Sequence, residues 1–208
     1  MKKTMVKSIV AATILFSVVA GNGAITNAAD VKSTATTKPA ATSAPIMRDN
    51  LSKFGLKKDI ELPVTVTAGG LSYTLEKIMI FDSKSKDAQG LGKKYGYDLE
   101  GFKYFVWTKI TVENKGNKVI QKNSKDLSEK WRLNFGDISK GEAFSIMPEA
   151  SYYSINNKDA LWTWVLKPGE KLSTYQGYLY TGDFNYFVIW LDNKGDSATK
   201  YVVNEKKK

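Results

Sequence analysis

The 208 residues contain no histidine and no cysteine. That removes the usual proton shuttle, every Cys-His or Ser-His-Asp nucleophilic set, thiolate and imidazole zinc sites, a histidine-held haem, and all disulfides. Carboxylates, lysines and aromatic rings are left to carry any chemistry. Glycoside hydrolysis needs two carboxyls about 5 to 9.5 Å apart across a sugar cleft. The candidates Glu76, Asp98, Glu100, Glu113, Asp137, Glu142, Glu149 and Glu170 are scattered over turns and outward strand positions, and no spacing pairs any two. Asp82 to Asp87 (DSKSKD) puts lysines where a calcium loop needs oxygen ligands, and Asp192 to Asp196 (DNKGD) fails in the same way and reads as a hairpin turn. No glycine-rich phosphate loop occurs, and no motif sets a serine against a lysine. The expected catalytic residues, metal ligands and cofactors are therefore none.

The rings are the more informative set, at 12% of the chain. Phe105 and Trp107 lie two apart, as do Trp162 and Trp164, and Tyr178 and Tyr180; Tyr186 and Trp190 are four apart. On a strand such spacings put each pair on one face. Rings in a row either line a core or form a platform for sugar rings or a protein contact. In FKYFVWTKITVE (102–113), Phe102, Tyr104, Val106, Ile110 and Val112 already supply an apolar face. Phe105 and Trp107 share the other face with Lys103, Lys109 and Glu113, so this face is expected to point outward. The expected binding residues are Phe105, Trp107, Trp162 and Trp164, with Lys103 and Lys109 as cationic flanks.

Two segments frame the part that positions them. Lys2, Lys3 and Lys7 precede an apolar run from Ile9 to Ala20, and Ala28 or Ala29 closes a small-residue stretch. This order is that of a secretory signal, so residues 1–28 are expected to be removed and the protein to act outside the cell. No later stretch is apolar enough to span a membrane. Residues 29–50 are rich in Ala, Thr, Ser, Lys and Pro and read as a flexible linker to a domain at 51–208. Net charge is +10 for the whole chain and +7 without the leader, which favours anionic surfaces such as wall polymers or acidic glycans. Export makes nucleic acid an unexpected partner.

Within the domain the dominant period is two. Strands are expected at 60–67, 71–81, 102–113, 118–121, 131–135, 161–166, 171–180, 184–191 and 198–203. Pro63 suits an edge. The apolar phase flips near Glu76-Lys77, which implies a bulge. Lys167-Pro168-Gly169-Glu170 fits a type II turn. Residues 82–101 read as a long polar loop, and 122–130 as a stretch able to hold a short helical turn. The whole predicts an all-β, immunoglobulin-like antiparallel sandwich of about seven to nine strands.

The run YFVWTKITVENKGNKVI, then W-x-L, LKPGEKLSTYQGYLY and YFVIWLD, resembles the telokin-like, immunoglobulin-like domains of secreted bacterial proteins, a domain-of-unknown-function group that includes immunoprotective extracellular antigens. Val112, Asn114 and Gly116 carry its V-x-N-x-G, and Leu166, Pro168, Gly169 and Glu170 its L-x-P-G-E. The resemblance implies an exported, non-enzymatic module of the cell envelope or medium. Its partner would be an extracellular protein or a polymer. A glycan-binding protein using exposed rings is the first alternative, and a hydrolase with a carboxylate pair the second.

Overall fold

The computed structural model describes residues 47–136 and 143–204; the leader, the linker up to residue 46, Asp137, Glu142 and the last four residues lie outside them. Of the chain's two units, Met1–Ala40 therefore lies wholly outside, and the fold belongs to Ala41–Lys208. The expected all-β antiparallel sandwich is present. Ten strands occur among the described residues: β1 (Val64–Ala68), β2 (Leu71–Asp82), β3 (Tyr104–Asn114), β4 (Ile120–Lys122), β5 (Trp131–Asn134), β6 (Phe144–Ser145), β7 (Trp164–Leu166), β8 (Lys171–Tyr180), β9 (Phe187–Asn193) and β10 (Asp196–Val203). The count exceeds nine because β6 is a two-residue strand.

The main sheet runs β1-β2-β3-β8-β6, a second sheet β10-β9-β5, and β4 pairs β7. All pairings are antiparallel. The β2–β3 register slips between Leu75 and Lys77, where the apolar phase flips in sequence. One extra residue there lets Tyr73 and Leu75, and then Ile78 and Ile80, all face the same core. Pro63, which cannot donate to a ladder, sits just before β1 at the sheet edge. Gly169 takes φ of 79°, as a type II turn demands.

Strand alternation sends the side chains of the main sheet to two different cores. Tyr73, Leu75, Ile80, Val106, Ile110 and Tyr178 join Leu133, Ile189 and Leu191 of the second sheet. Phe81, Phe105, Trp107 and Leu179 point the other way, into a second core. Residues 82–101, expected to be loop, build its cover. A helix α1 (Lys86–Tyr95) is capped by the Ser85 hydroxyl, which accepts from Ala88 N, and stops at Gly96 in the left-handed region. Its Ala88, Leu91 and Tyr95 lie at helical spacing and are buried against the sheet, with Tyr97 and Leu99 following. Gly177 on β8 makes room for this layer: a Cβ there would stand 3.1 Å from Phe105 Cε2 and 3.4 Å from Tyr97.

Two smaller expectations also change. The 122–130 stretch is not helical; Asn123 and Asp126 exchange backbone hydrogen bonds of 2.8 and 3.0 Å across a tight turn. The domain reaches back before residue 51. Asn50 is buried, donating to Ile80 O at 2.7 Å and accepting from Ile80 N at 2.8 Å, and Met47 packs on the second core.

Candidate functional site

The outward assignment of Phe105 and Trp107 is overturned. Both are buried, at 0% and 4% exposure, under α1. Trp107 stacks on Tyr175 at 5.6 Å and 8° and on Tyr95 at 5.3 Å and 25°. The physical reason lies in the length of β3. Residues 103 and 109 are about 20 Å apart at ~3.3 Å per residue, whereas the helical cover spans the middle. The charges therefore escape at either end while the rings between them are enclosed. Lys103 reaches Asp183 at 3.9 Å and lies 4.9 Å from the Tyr104 ring. Lys109 pairs with Glu76 at 3.1 Å.

The second ring pair also divides. Trp164, in β7, is buried in the first core and stacks on Trp131 at 5.4 Å. Trp162 precedes the strand, is half-buried, and carries the Lys122 ammonium 4.1 Å over its ring. Phe105, Trp107, Trp162, Trp164, Lys103 and Lys109 thus form no common surface.

An accessible set of rings lies instead on the outer face of β10-β9-β5. Phe187, Ile189 and Leu191 of β9 enter the core. Alternation turns Val188, Trp190 and Asp192 outward, with Arg132 of β5 and Thr199 of β10 directly opposite Trp190. Trp190 and Tyr186 are half-buried, Arg132 and Thr199 exposed, and Tyr201 is 42% exposed. Tyr201 lies opposite Val188, which is 1% exposed, and 6.1 Å from the Tyr186 ring. The Arg132 guanidinium carbon is 5.6 Å from the Trp190 centroid, within cation–π range, and its nitrogen is 4.0 Å from Asp192. The result is a shallow aromatic strip with an ion pair at one end and the hydroxyls of Ser197 and Thr199 along one side.

The sequence puts Tyr186 and Trp190 on one face but gives no reason to choose them as a site. FNYFVIWL is apolar on both faces and reads as a strand covered twice. β9 is indeed central in its sheet; on its outer side Val188 and the facing Asn134 are buried, Trp190 is half-buried and Asp192 exposed, and no helix among the described elements packs over it as α1 packs over β3.

Four of the acidic residues are held by local partners. Glu76 accepts from the Thr111 hydroxyl, which also pairs with Ser173. Burial alone would push the Glu76 carboxyl up, but Thr111 and Lys109 together hold it below its ordinary value. Glu113 sits 3.9 Å from Lys115, Glu170 accepts from Lys167 N, and Asp98 accepts from Glu100 N. Among the described residues no group of three acids forms a metal cradle. A cavity of about 530 Å³ lies between α1 and its exit loop, lined by Ser83, Lys84, Gln89, Lys93, Asp98 and Glu100 among others, and has charges of both signs.

No protein-family model matches the chain, and no curated protein matches it significantly. Solved structures give distant likenesses. The ycdA protein of Bacillus subtilis aligns over 69% of this chain at 11% identity with a TM-score of 0.44, and this chain spans 39% of its length. The yjhA protein of Bacillus subtilis aligns over 62% of this chain and 76% of its own, at 15% identity and TM-score 0.38. A functionally unknown protein of Listeria monocytogenes aligns over 69% and 82%, at 10% identity and TM-score 0.41.

Proposed function

We propose that the chain is an exported, non-catalytic binding module of the cell envelope or extracellular medium. It holds an extracellular polymer or protein on the outer face of β10-β9-β5. The observation that carries this reading is the strip Trp190, Tyr186, Tyr201 and Arg132, half-buried to exposed on a sheet while Trp107, Trp131 and Trp164 are buried. Large rings left accessible on a folded surface mark contact sites more often than chance. The leader-like order of Lys2, Lys3, Lys7, Ile9–Ala20 and Ala28 supports export, as does the likeness of the strand grammar to secreted immunoglobulin-like domains. Among the described residues no helix is long and apolar enough to cross a membrane. The occupation of Glu76, Glu170 and Asp98 by a neighbouring lysine or backbone amide supports a role without acid–base chemistry at these three.

The test is co-sedimentation of the mature chain with purified cell envelopes and wall polymers, and capture of extracellular proteins on the immobilised chain. Binding that Trp190→Ala removes and Trp162→Ala preserves is the expected result. Retention of every interaction in Trp190→Ala, or no interaction with any of these fractions, overturns the reading.

A further inference from the structure

We infer that the occupant of the β10-β9-β5 outer face is an uncharged polysaccharide chain, an inference that rests on the binding-module reading above. The net positive charge of the chain points first to a polyanion, but the charge on this face does not. Its one guanidinium, Arg132, faces Asp192 at 4.0 Å with both side chains about half exposed. Lys130, opposite Asp192 on the same side, is held by Asp126 at 2.6 Å and is nearly buried. The remaining outward groups near Arg132 are the rings of Trp190, Tyr186 and Tyr201 and the hydroxyls of Ser197 and Thr199, which carry no charge at neutral pH. A polyanion laid on this strip would meet Asp192 and gain no unpaired cation, whereas like-signed contacts lower affinity. An uncharged partner loses nothing there.

The remaining features choose among uncharged partners. The axial hydrogens of a pyranose form an apolar face that stacks on an aromatic ring, while its equatorial hydroxyls seek donors and acceptors at the ring's edge. Trp190 supplies the largest ring. Thr199, directly opposite it, and Asp192 supply donors and acceptors beside the ring, and the Arg132 guanidinium, over one face of it at 5.6 Å, supplies further donors. Tyr201, two residues from Thr199, and Tyr186, four residues from Trp190, pair along the same face and offer a second stacking position. A row of ring positions along a strand fits a chain of repeating sugars rather than a single one. Small molecules favour concave sites that enclose most of their surface. The described cavities are lined by residues 49–61 and 82–103, away from this strip.

The experiment measures affinity of the mature chain for chitohexaose and cellohexaose as neutral probes, polygalacturonate as a polyanionic glycan, and a single-stranded oligonucleotide, each at low and high salt. A neutral hexasaccharide should bind with affinity changed less than about twofold between the two salts, because no counterions are released. Trp190→Ala and Tyr201→Ala should each weaken binding about tenfold or more at an unchanged melting temperature, and Trp162→Ala should leave it unchanged. Tyr201, the more exposed ring, keeps the test valid if Trp190→Ala loses stability. Binding of polygalacturonate or oligonucleotide alone, falling steeply with salt, overturns the neutral-glycan inference and leaves the binding module standing. So does capture of a protein by the Trp190 face without any glycan binding. Glycan binding indifferent to both ring substitutions overturns the inference and the placement of the site together.

Discussion

Replacing Trp107 by alanine separates a buried ring from a surface platform by the size of one number. The ring is 4% exposed and contacts Tyr175, Tyr95, Phe105 and Tyr97 at centroid distances of 5.6, 5.3, 5.9 and 6.0 Å. Truncation removes the largest side chain of the second core and leaves a cavity that Gly177, with no side chain, cannot fill. Large aromatic deletions of this type cost roughly 3–5 kcal/mol. At about 2–4 °C per kcal/mol for a domain of this size, the melting temperature should drop by roughly 6–20 °C. A double-mutant cycle with Tyr175→Ala should return about 0.5–1.5 kcal/mol of coupling for the stacked pair. The assay is thermal and urea unfolding of the mature chain, followed by near-ultraviolet circular dichroism. A change within about 0.5 kcal/mol, the range of ordinary surface substitutions, would refute the covered sheet face.

Gly90 lies within α1, and a Cβ added to it would meet nothing within 4 Å, so Gly90→Ala should raise stability by about 0.5–1 kcal/mol in a urea melt. Asn114 donates to Lys118 O and Leu166 O at 2.8 Å each and accepts from Gly116 N; Asn114→Ala should cost at least about 2 kcal/mol, because buried groups left unpaired cost about 1–3 kcal/mol each. The Lys130 ammonium, 2.6 Å away, and then the Ser128 hydroxyl hold the Asp126 carboxyl down to about 2, against an ordinary 3.8. A depressed carboxyl stabilises the fold above its ordinary value and loses that contribution as pH falls through about 2, so a carboxyl-carbon NMR titration should show a midpoint near 2 that moves up toward 3.8 in Lys130→Met. Mass spectrometry of the exported form should find Ala29 or Asp30 at its N-terminus, and an intact Met1 in the extracellular fraction would contradict export.

The parts of the fold legible in sequence are those set by local rules. The β2 bulge shows as a flip of apolar phase at Glu76-Lys77, and the 167–170 turn shows as Pro-Gly in the right order. Composition hides α1. KDAQGLGKKY holds two glycines, each costing about 1 kcal/mol against alanine, and its burying residues are just Ala88, Leu91 and Tyr95 among its apolar positions. Such a helix forms because the sheet supplies the face it packs on, a tertiary effect that no local pattern reports.

The face proposed for binding is hard to place from sequence for a related reason. Alternation says which residues share a side of a strand, and it does so correctly for Phe105 with Trp107 and for Tyr186 with Trp190. It cannot say which side is covered, since that depends on where a distant segment lands. The lysines at 103 and 109 mark the ends of a covered patch, although in sequence their charge looks like a property of the whole face. On β9 the ambiguity runs the other way, because a doubly apolar strand looks enclosed when one of its sides, at Trp190 and Asp192, is partly exposed.

The central claim is that the outer face of β10-β9-β5 is where this protein meets its partner. Titrating the isotope-labelled mature chain with chitohexaose and recording amide and indole NMR shifts tests it most directly. Shifts are expected at the Trp190 indole N–H and at Arg132, Thr199 and Tyr201, with the Trp107 indole unmoved. Shifts confined to Ser83, Lys84, Gln89 and Phe102 at the α1 groove would contradict it, and shifts at no residue would contradict the neutral-glycan occupant.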